Sequence, residues 1–249
     1  ACLTFDFDAL SIWIARGMLS PTSISRGEFG VIGAKRILAL LAKYEIRATW
    51  FVPGHTIETY PDACKAIVDA GHEIGNHGWT HRSTLEMSEA EEEAELLRAN
   101  EAVRKLIKRN PLGYRSPIWD LTPNTVKLLV KHGFLYESNL MASDYMPFRT
   151  RRDDKIELQK PAVFGPETPL IEIPVSWSLD DAPHFELVRT PNWVQPGLMN
   201  AEAVLGNWLN DFRYMTETTE WGALTYTCHP YCIGRGHRMR MLEQLIKGL

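Results

Sequence analysis

Short β-favouring runs alternate with amphipathic helical stretches about seven times along the chain, and this alternation constrains the fold more than any other feature. Val31, Ile32, Ile37, Leu38, Leu40 and Leu41, with Lys and Arg between them, predict a helix with one buried face over Gly30–Tyr44. A strand over Ile46–Val52 is broken by Pro53-Gly54, a helix over Ile57–Ala70 stops at Gly71, and His72–Asn76 reads as a short strand. Ser88 and Glu91 form a capping box at the head of a helix running to Arg109, whose glutamate-rich first turns suit its positive end. A strand at Gly113–Ser116, a helix from Thr122 to Gly133 and a strand at Phe134–Ser138 follow. Strands at Leu170–Val175 and Ala223–Cys228 and helices at Asn200–Met215 and His237–Leu249 complete the series. Residues 141–169 lack periodicity and read as an excursion with a short hairpin, lying over the cleft or at a subunit contact. The alternation predicts a mainly parallel sheet with helices outside; it leaves an open doubly wound sheet and a closed barrel equally available.

The chain has 249 residues, 45% of them hydrophobic, enough for a sizeable core and suited to a single α/β barrel domain over 1–249. A net charge of -4 provides no basic footprint for nucleic acid or an anionic membrane. No apolar run approaches the roughly 20 residues that cross a bilayer. Four cysteines are too few for a disulfide framework at this length, and the Cys228/Cys232 spacing is not that of a zinc knuckle. A reduced, cytoplasmic setting is the expectation.

Chemistry concentrates in two stretches. Leu3-Thr4-Phe5-Asp6-Phe7-Asp8 ends a strand-like run in two acids, which on a regular strand point to one face. Gly75-Asn76-His77-Gly78-Trp79-Thr80-His81 supplies two imidazoles four residues apart. Two histidines and a carboxylate make a three-ligand set that leaves a metal position open for water, as hydrolysis requires. The blander reading is an acid pair finishing a strand beside loop histidines held by hydrogen bonds. His55, after Pro53-Gly54, is either a loop histidine or a residue at the mouth of the site. Trp13, Ile14 and Met18 are expected in a cleft wall. Arg235, His237 and Arg238 read as a surface turn, with an anion site as the alternative.

Taken with Arg115-Ser116-Pro117-Ile118-Trp119 and Thr227-Cys228-His229-Pro230 in the same order, these stretches resemble the motifs of the polysaccharide deacetylase (NodB-homology, carbohydrate esterase family 4) superfamily. Phe7 between the two acids resembles the branch that holds cyclic imidases, allantoinase-like proteins and atypical peptidoglycan deacetylases. The resemblance implies a distorted (β/α) barrel of about seven strands. It implies Asp8, His77 and His81 as ligands of zinc, with cobalt, iron or manganese also compatible. It further implies Asp6 as general base, His229 as general acid and Arg115 as the partner that orients the catalytic aspartate, by a contact that can be bidentate. Trp79, Trp119, Trp177 and Asp181 are the substrate-side expectations. In Ser176-Trp177-Ser178-Leu179-Asp180-Asp181, one acid is expected to hold Arg115 or His229 and the other to cap a turn. The expected activity is hydrolysis of a non-peptide C–N bond: N-deacetylation of an amino sugar or, as the rival, ring opening of a small cyclic imide or ureide. A non-catalytic binding module is the outlying alternative. The branch also implies a homo-oligomer, with a tetramer as one form, acting on a small-molecule or amino-sugar substrate.

Overall fold

A computed structural model describes residues 1–190 and 192–249. The strands are β1 (Cys2–Asp6), β2 (Thr49–Val52), β3 (Glu73–Asn76), β4 (Gly113–Tyr114), β5 (Tyr136–Glu137), β6 (Phe148–Arg151), β7 (Glu167–Glu172), β8 (Val188–Arg189), β9 (Val194–Gln195) and β10 (Thr225–Cys228). The helices are α1 (Ser11–Ala15), α2 (Pro21–Lys43), α3 (Gly54–Thr59), α4 (Pro61–Asp69), α5 (Glu89–Ile107), α6 (Thr125–Lys131), α7 (Asp181–Phe185), α8 (Ala201–Thr218), α9 (Pro230–Ile233) and α10 (Gly236–Gly248). One sheet runs in the order β10-β1-β2-β3-β4-β5-β7-β6, with every neighbouring pair parallel except β6 and β7. Seven parallel strands thus form the expected distorted barrel, curled into a half-barrel whose two edges do not pair.

Parallel strands joined by helices deliver all their C-terminal ends to one rim, and that is where the candidate residues gather. The core beneath is aromatic: Phe5 lies 4.7 Å from Trp50, and Phe7 meets Trp50 edge-on at 6.3 Å. Phe7, the residue between Asp6 and Asp8, is fully buried and anchors this end of the strand. A smaller cluster of Leu96, Tyr114, Leu129 and Leu170 seats α5 and α6 on β4 and β7.

Three expectations shift. The helix expected over Ile57–Ala70 is two, α3 and α4, divided at Tyr60 ahead of Pro61. The first long helix begins nine residues earlier than its apolar pattern, at Pro21, capped by the Ser20 hydroxyl accepting from the Ser23 amide. Gly27, Gly30 and Gly33 obscure that first half in the sequence, yet they lie on the face where α2 presses closely on the backbone of Ala9 and Pro230. A Cβ at Gly33 would collide with the Pro230 carbonyl. The helix therefore braces both the loop after β1 and the turn after β10. The excursion at 141–169 does contain a hairpin strand, but β6 pairs antiparallel along the outer edge of β7, remote from the cleft described below. That pairing, including a 2.7 Å Thr150–Thr168 hydroxyl contact, draws β7 three residues toward the N-terminus of its expected span. The cysteines Cys2, Cys64, Cys228 and Cys232 are unpaired. Among the described residues no helix is long and apolar enough to cross a membrane.

Candidate metal centre

Asp6 ends β1, and Asp8 follows at a bend where Ala9 takes φ +48. The Asp8 backbone carbonyl accepts from Ser11 Oγ (2.7 Å) and Thr56 Oγ1 (2.6 Å), which fixes the bend from two sides. Its carboxylate is wholly buried, and neither oxygen has a hydrogen-bond partner. His77 and His81 face it: Nε2 of His77 lies 3.4 Å from Oδ1, and Nε2 of His81 lies 3.6 Å from Oδ2. His77 Nδ1 donates to the Arg115 carbonyl at 2.7 Å, which sets the ring and leaves buried Nε2 unpartnered. Asn76 supports the turn by accepting from the Gly78 amide and donating to Leu96 O and Asn100 Oδ1. Gly78 at φ +67, hard against Pro117, and His81 at φ +60 bend the loop so that both rings return to one point.

Three buried polar atoms without partners, both oxygens of Asp8 and Nε2 of His77, converge here in an arrangement that can hold a cation. Burial pushes the Asp8 carboxyl up, but the imidazoles of His81, His77 and His229 outweigh it and hold it well below the usual carboxylate range. Burial, against the pull of Asp8, pushes His81 down to about 4, so it offers a lone pair. Burial also opposes protonation of His77, but Asp6 and Asp8 raise it; a proton and a metal compete for that nitrogen. The donor set fits a divalent transition metal.

Asp6 stands beside this set, its Oδ2 3.8 Å from His77 Nε2. Its other oxygen accepts from Arg115 Nη1 at 2.8 Å. Arg115 is fully buried and donates also to Thr4 Oγ1, Ser138 O and Ser138 Oγ, with Phe51 under its guanidinium at 4.3 Å. The contact with Asp6 uses one nitrogen and one oxygen rather than a bidentate fork, because the other donors are engaged by Thr4 and Ser138.

His229 leaves β10 on the far side, with Nε2 3.8 Å from Asp8 Oδ2. Its Nδ1 donates to Asp181 Oδ1 at 2.7 Å, and its backbone amide donates to both oxygens of the same carboxylate. Asp180 caps α7 through the Ala182 amide and sits 3.6 Å from His229 Nδ1. Burial disfavours the imidazolium, yet Asp180, Asp181 and Asp8 raise the His229 pKa well above the ordinary histidine value.

A cleft of about 500 Å³ opens over these groups, lined by Asp6, His77, His81, Asp180 and His229 and walled by Trp119 and Trp177. The two indoles stack at 4.1 Å. Ile118 and Trp119 both take left-handed backbone conformations (φ +60 and +59), strain that turns Trp119 into the wall. Three expectations are displaced. Trp79 is buried away from the cleft, wedged against Gly54 beneath the Arg98 guanidinium at 3.6 Å. Asp181 lies under His229, not on the substrate side, and Asp180 takes the place on the cleft surface. Trp13 is a fully buried floor residue, and Ile12, Ala15 and Arg16 line the cleft in place of Trp13, Ile14 and Met18. His55 contacts Thr59, and Arg238 donates to Cys232 O and Phe185 O, both outside the cleft. Arg16, Tyr231, Trp193 and Gln195, unmarked by the motifs, also line it. Tyr231, two residues after His229, was the one with a positional signal.

Comparison with known proteins follows the same lines. The polysaccharide deacetylase family model matches residues 31–136. A peptidoglycan deacetylase of Helicobacter pylori is 37% identical over 256 residues, covering 97% of this chain and 87% of that protein. This chain belongs to the polysaccharide deacetylase family. A solved Mycobacterium smegmatis structure assigned to the polysaccharide deacetylases superposes with a TM-score of 0.81 at 32% identity, covering 99% of this chain and 82% of that one. An allantoinase structure shares the fold, with a TM-score of 0.77 at 22% identity over 99% of this chain and 82% of that one. Membership makes the chain a deacetylase-type hydrolase of non-peptide C–N bonds.

Proposed function

We propose that this member of the family is a divalent-metal-dependent N-deacetylase of an amino-sugar substrate. Asp8, His77 and His81 hold the metal in this reading, with zinc the expected ion. The observation that carries it is the convergence of both Asp8 oxygens and His77 Nε2, buried and unpartnered, beneath an open cleft. A metal bound there supplies Lewis-acid polarisation of the acyl carbonyl and activation of water. The chain's own residues do the rest. Arg115 engages one oxygen of Asp6, which leaves the other to collect a proton as general base. Asp181 fixes the His229 tautomer and keeps the ring charged, so Nε2–H can be given to the departing nitrogen. The stacked Trp119–Trp177 pair offers an aromatic face of the kind that packs on a sugar ring. The name of the H. pylori relative supports a glycan substrate.

Ring opening of a small cyclic imide is the rival, supported by the Asp6-Phe7-Asp8 spacing. Zinc-loaded protein assayed on an N-acetylglucosamine oligomer and on succinimide, with Asp6→Asn as blank, separates the two. Acetate release that depends on metal and on Asp6 is expected; imide opening alone would replace the deacetylase reading by its rival. A homo-oligomer is part of the proposal, supported by the exposed Ile156, Leu158, Val163 and Phe164 of the excursion, and sedimentation equilibrium tests it.

A further inference from the structure

Two polar atoms in the cleft wall stand without partners and have no task in the chemistry above: Arg16 Nη1 and Tyr231 Oη, both buried. Both residues line the cleft alongside His81 and His229. Tyr231 is only 3% exposed, and its ring meets Trp13 edge-on at 5.9 Å. The Arg16 guanidinium lies 5.5 Å from the centroid of the same indole. Trp13 is itself fully buried, with Arg26 at 4.3 Å, so the floor that carries both groups is fixed. Arg16 ends α1, where Gly17 at φ +67 turns the chain away and leaves the arginine against the cleft.

The neighbouring arginines have occupations in the fold that Arg16 Nη1 lacks. Arg26 pairs with Glu186 and donates to the Leu187 carbonyl. Arg82 donates to the Glu86 carbonyl, and Arg115 donates from all three of its nitrogens. A buried guanidinium N–H and a buried phenol O–H, both without acceptors, lose hydration with no return unless a ligand supplies lone pairs. Two donors that line one cleft and share the Trp13 indole as a neighbour, one of them charged, match the two oxygens of a carboxylate. The acids that line the cleft are Asp6, held by Arg115, together with Asp180 and Glu86.

We propose that Arg16 and Tyr231 form a carboxylate-binding corner, so that the substrate is an N-acylated amine carrying a carboxylate close to the scissile amide. This rests on the deacetylase reading. The stacked tryptophans take the ring, the metal centre the acyl group, and the corner the acid. A neutral N-acetyl sugar would leave both donors unpaired and bind more weakly.

The test compares an N-acetylmuramate glycan, which carries a free carboxylate, with its methyl ester, for zinc-loaded wild type, Arg16→Gln, Arg16→Lys and Tyr231→Phe. The wild type is expected to favour the free acid over the ester by about tenfold or more in kcat/KM, chiefly through KM. Arg16→Gln should bring that ratio close to one, Arg16→Lys should restore part of it, and Tyr231→Phe should reduce it about threefold. Equal wild-type rates on acid and ester, or a ratio untouched by Arg16→Gln, would overturn the corner. Calorimetric titration of the same proteins with N-acetylmuramate separates this from failure of the deacetylase reading. Binding that needs Arg16 without turnover would keep the corner and remove the deacetylase, and absence of binding together with absence of preference would remove the corner.

Discussion

Two groups of buried carboxylates sit at the same rim of the sheet and meet opposite fates. Asp8 has imidazoles on three sides and a cleft above it, and its charge is favoured in place. Glu137 and Glu172, about as deeply buried, stand opposite each other in parallel register on β5 and β7 and do not line the cleft. One oxygen of Glu172 accepts from the Asn139 and Leu140 amides and one of Glu137 from Asn139 Nδ2, while each carboxyl keeps an oxygen unpartnered. Burial pushes Glu137 up to about 7, and burial plus the charge of Glu137 pushes Glu172 well above the ordinary glutamate value. Burial thus favours the protonated form of this pair, whereas the imidazoles around Asp8 favour its charge. Burial of acids therefore does not by itself mark a functional site. Convergent lone-pair donors of mixed type, open to a cleft, do.

The comparison breaks most sharply at Asp8. Asp8→Ala should abolish bound metal, measured by metal analysis after dialysis, and lower turnover by at least about 10³-fold, whereas Glu172→Gln should retain both. Stoichiometric metal in Asp8→Ala would show that the orphaned atoms serve another purpose. Next in size, Asp6→Asn should keep the metal and lose about 10²–10⁴ in kcat, since Asp6 is read as a base and not as a ligand.

A third test concerns the closed pair. The native state holds more protons on Glu137 and Glu172 than the unfolded chain does once pH exceeds their ordinary 4.5, so their contribution to stability falls as pH rises through about 7 and beyond. Glu172→Gln can keep both backbone contacts and offers an amide donor to Glu137 in place of the proton. It should shrink the loss of unfolding free energy between about pH 5 and about pH 9 by on the order of 2 kcal/mol, read from urea melts. An unchanged slope would mean that the pair is not protonated. The smallest effect lies at the wall: Trp119→Ala should raise KM about tenfold with metal content unaltered. Trp79→Ala should instead cost about 3–5 kcal/mol of stability, because that indole fills the space between α3 and α5.

Much of the site was legible because its chemistry is written in short local patterns. Asp6 and Asp8 two apart and His77 and His81 four apart are stated by spacing, whereas Arg115 and His229 came from the order of motifs in the family resemblance. The tryptophans were less readable. Trp79 and Trp119 both neighbour motif residues, but the Gly54 contact takes one into the core while a strained turn puts the other on the cleft surface. Asp180 and Asp181 differ by one position, and only the approach of α7 to β10 decides which holds His229. Arg16 and Tyr231 carried no motif at all.

From the sequence alone came the alternating strands and helices, the mainly parallel framework and the residue types that can hold a metal, because periodicity and donor chemistry are local properties. Only the tertiary structure decided that the sheet stays open, that α2 starts early on a glycine face, and which polar atoms remain without partners. Those outcomes depend on contacts between segments as many as 223 residues apart, such as Thr4 with Thr227, whose geometry no local pattern records.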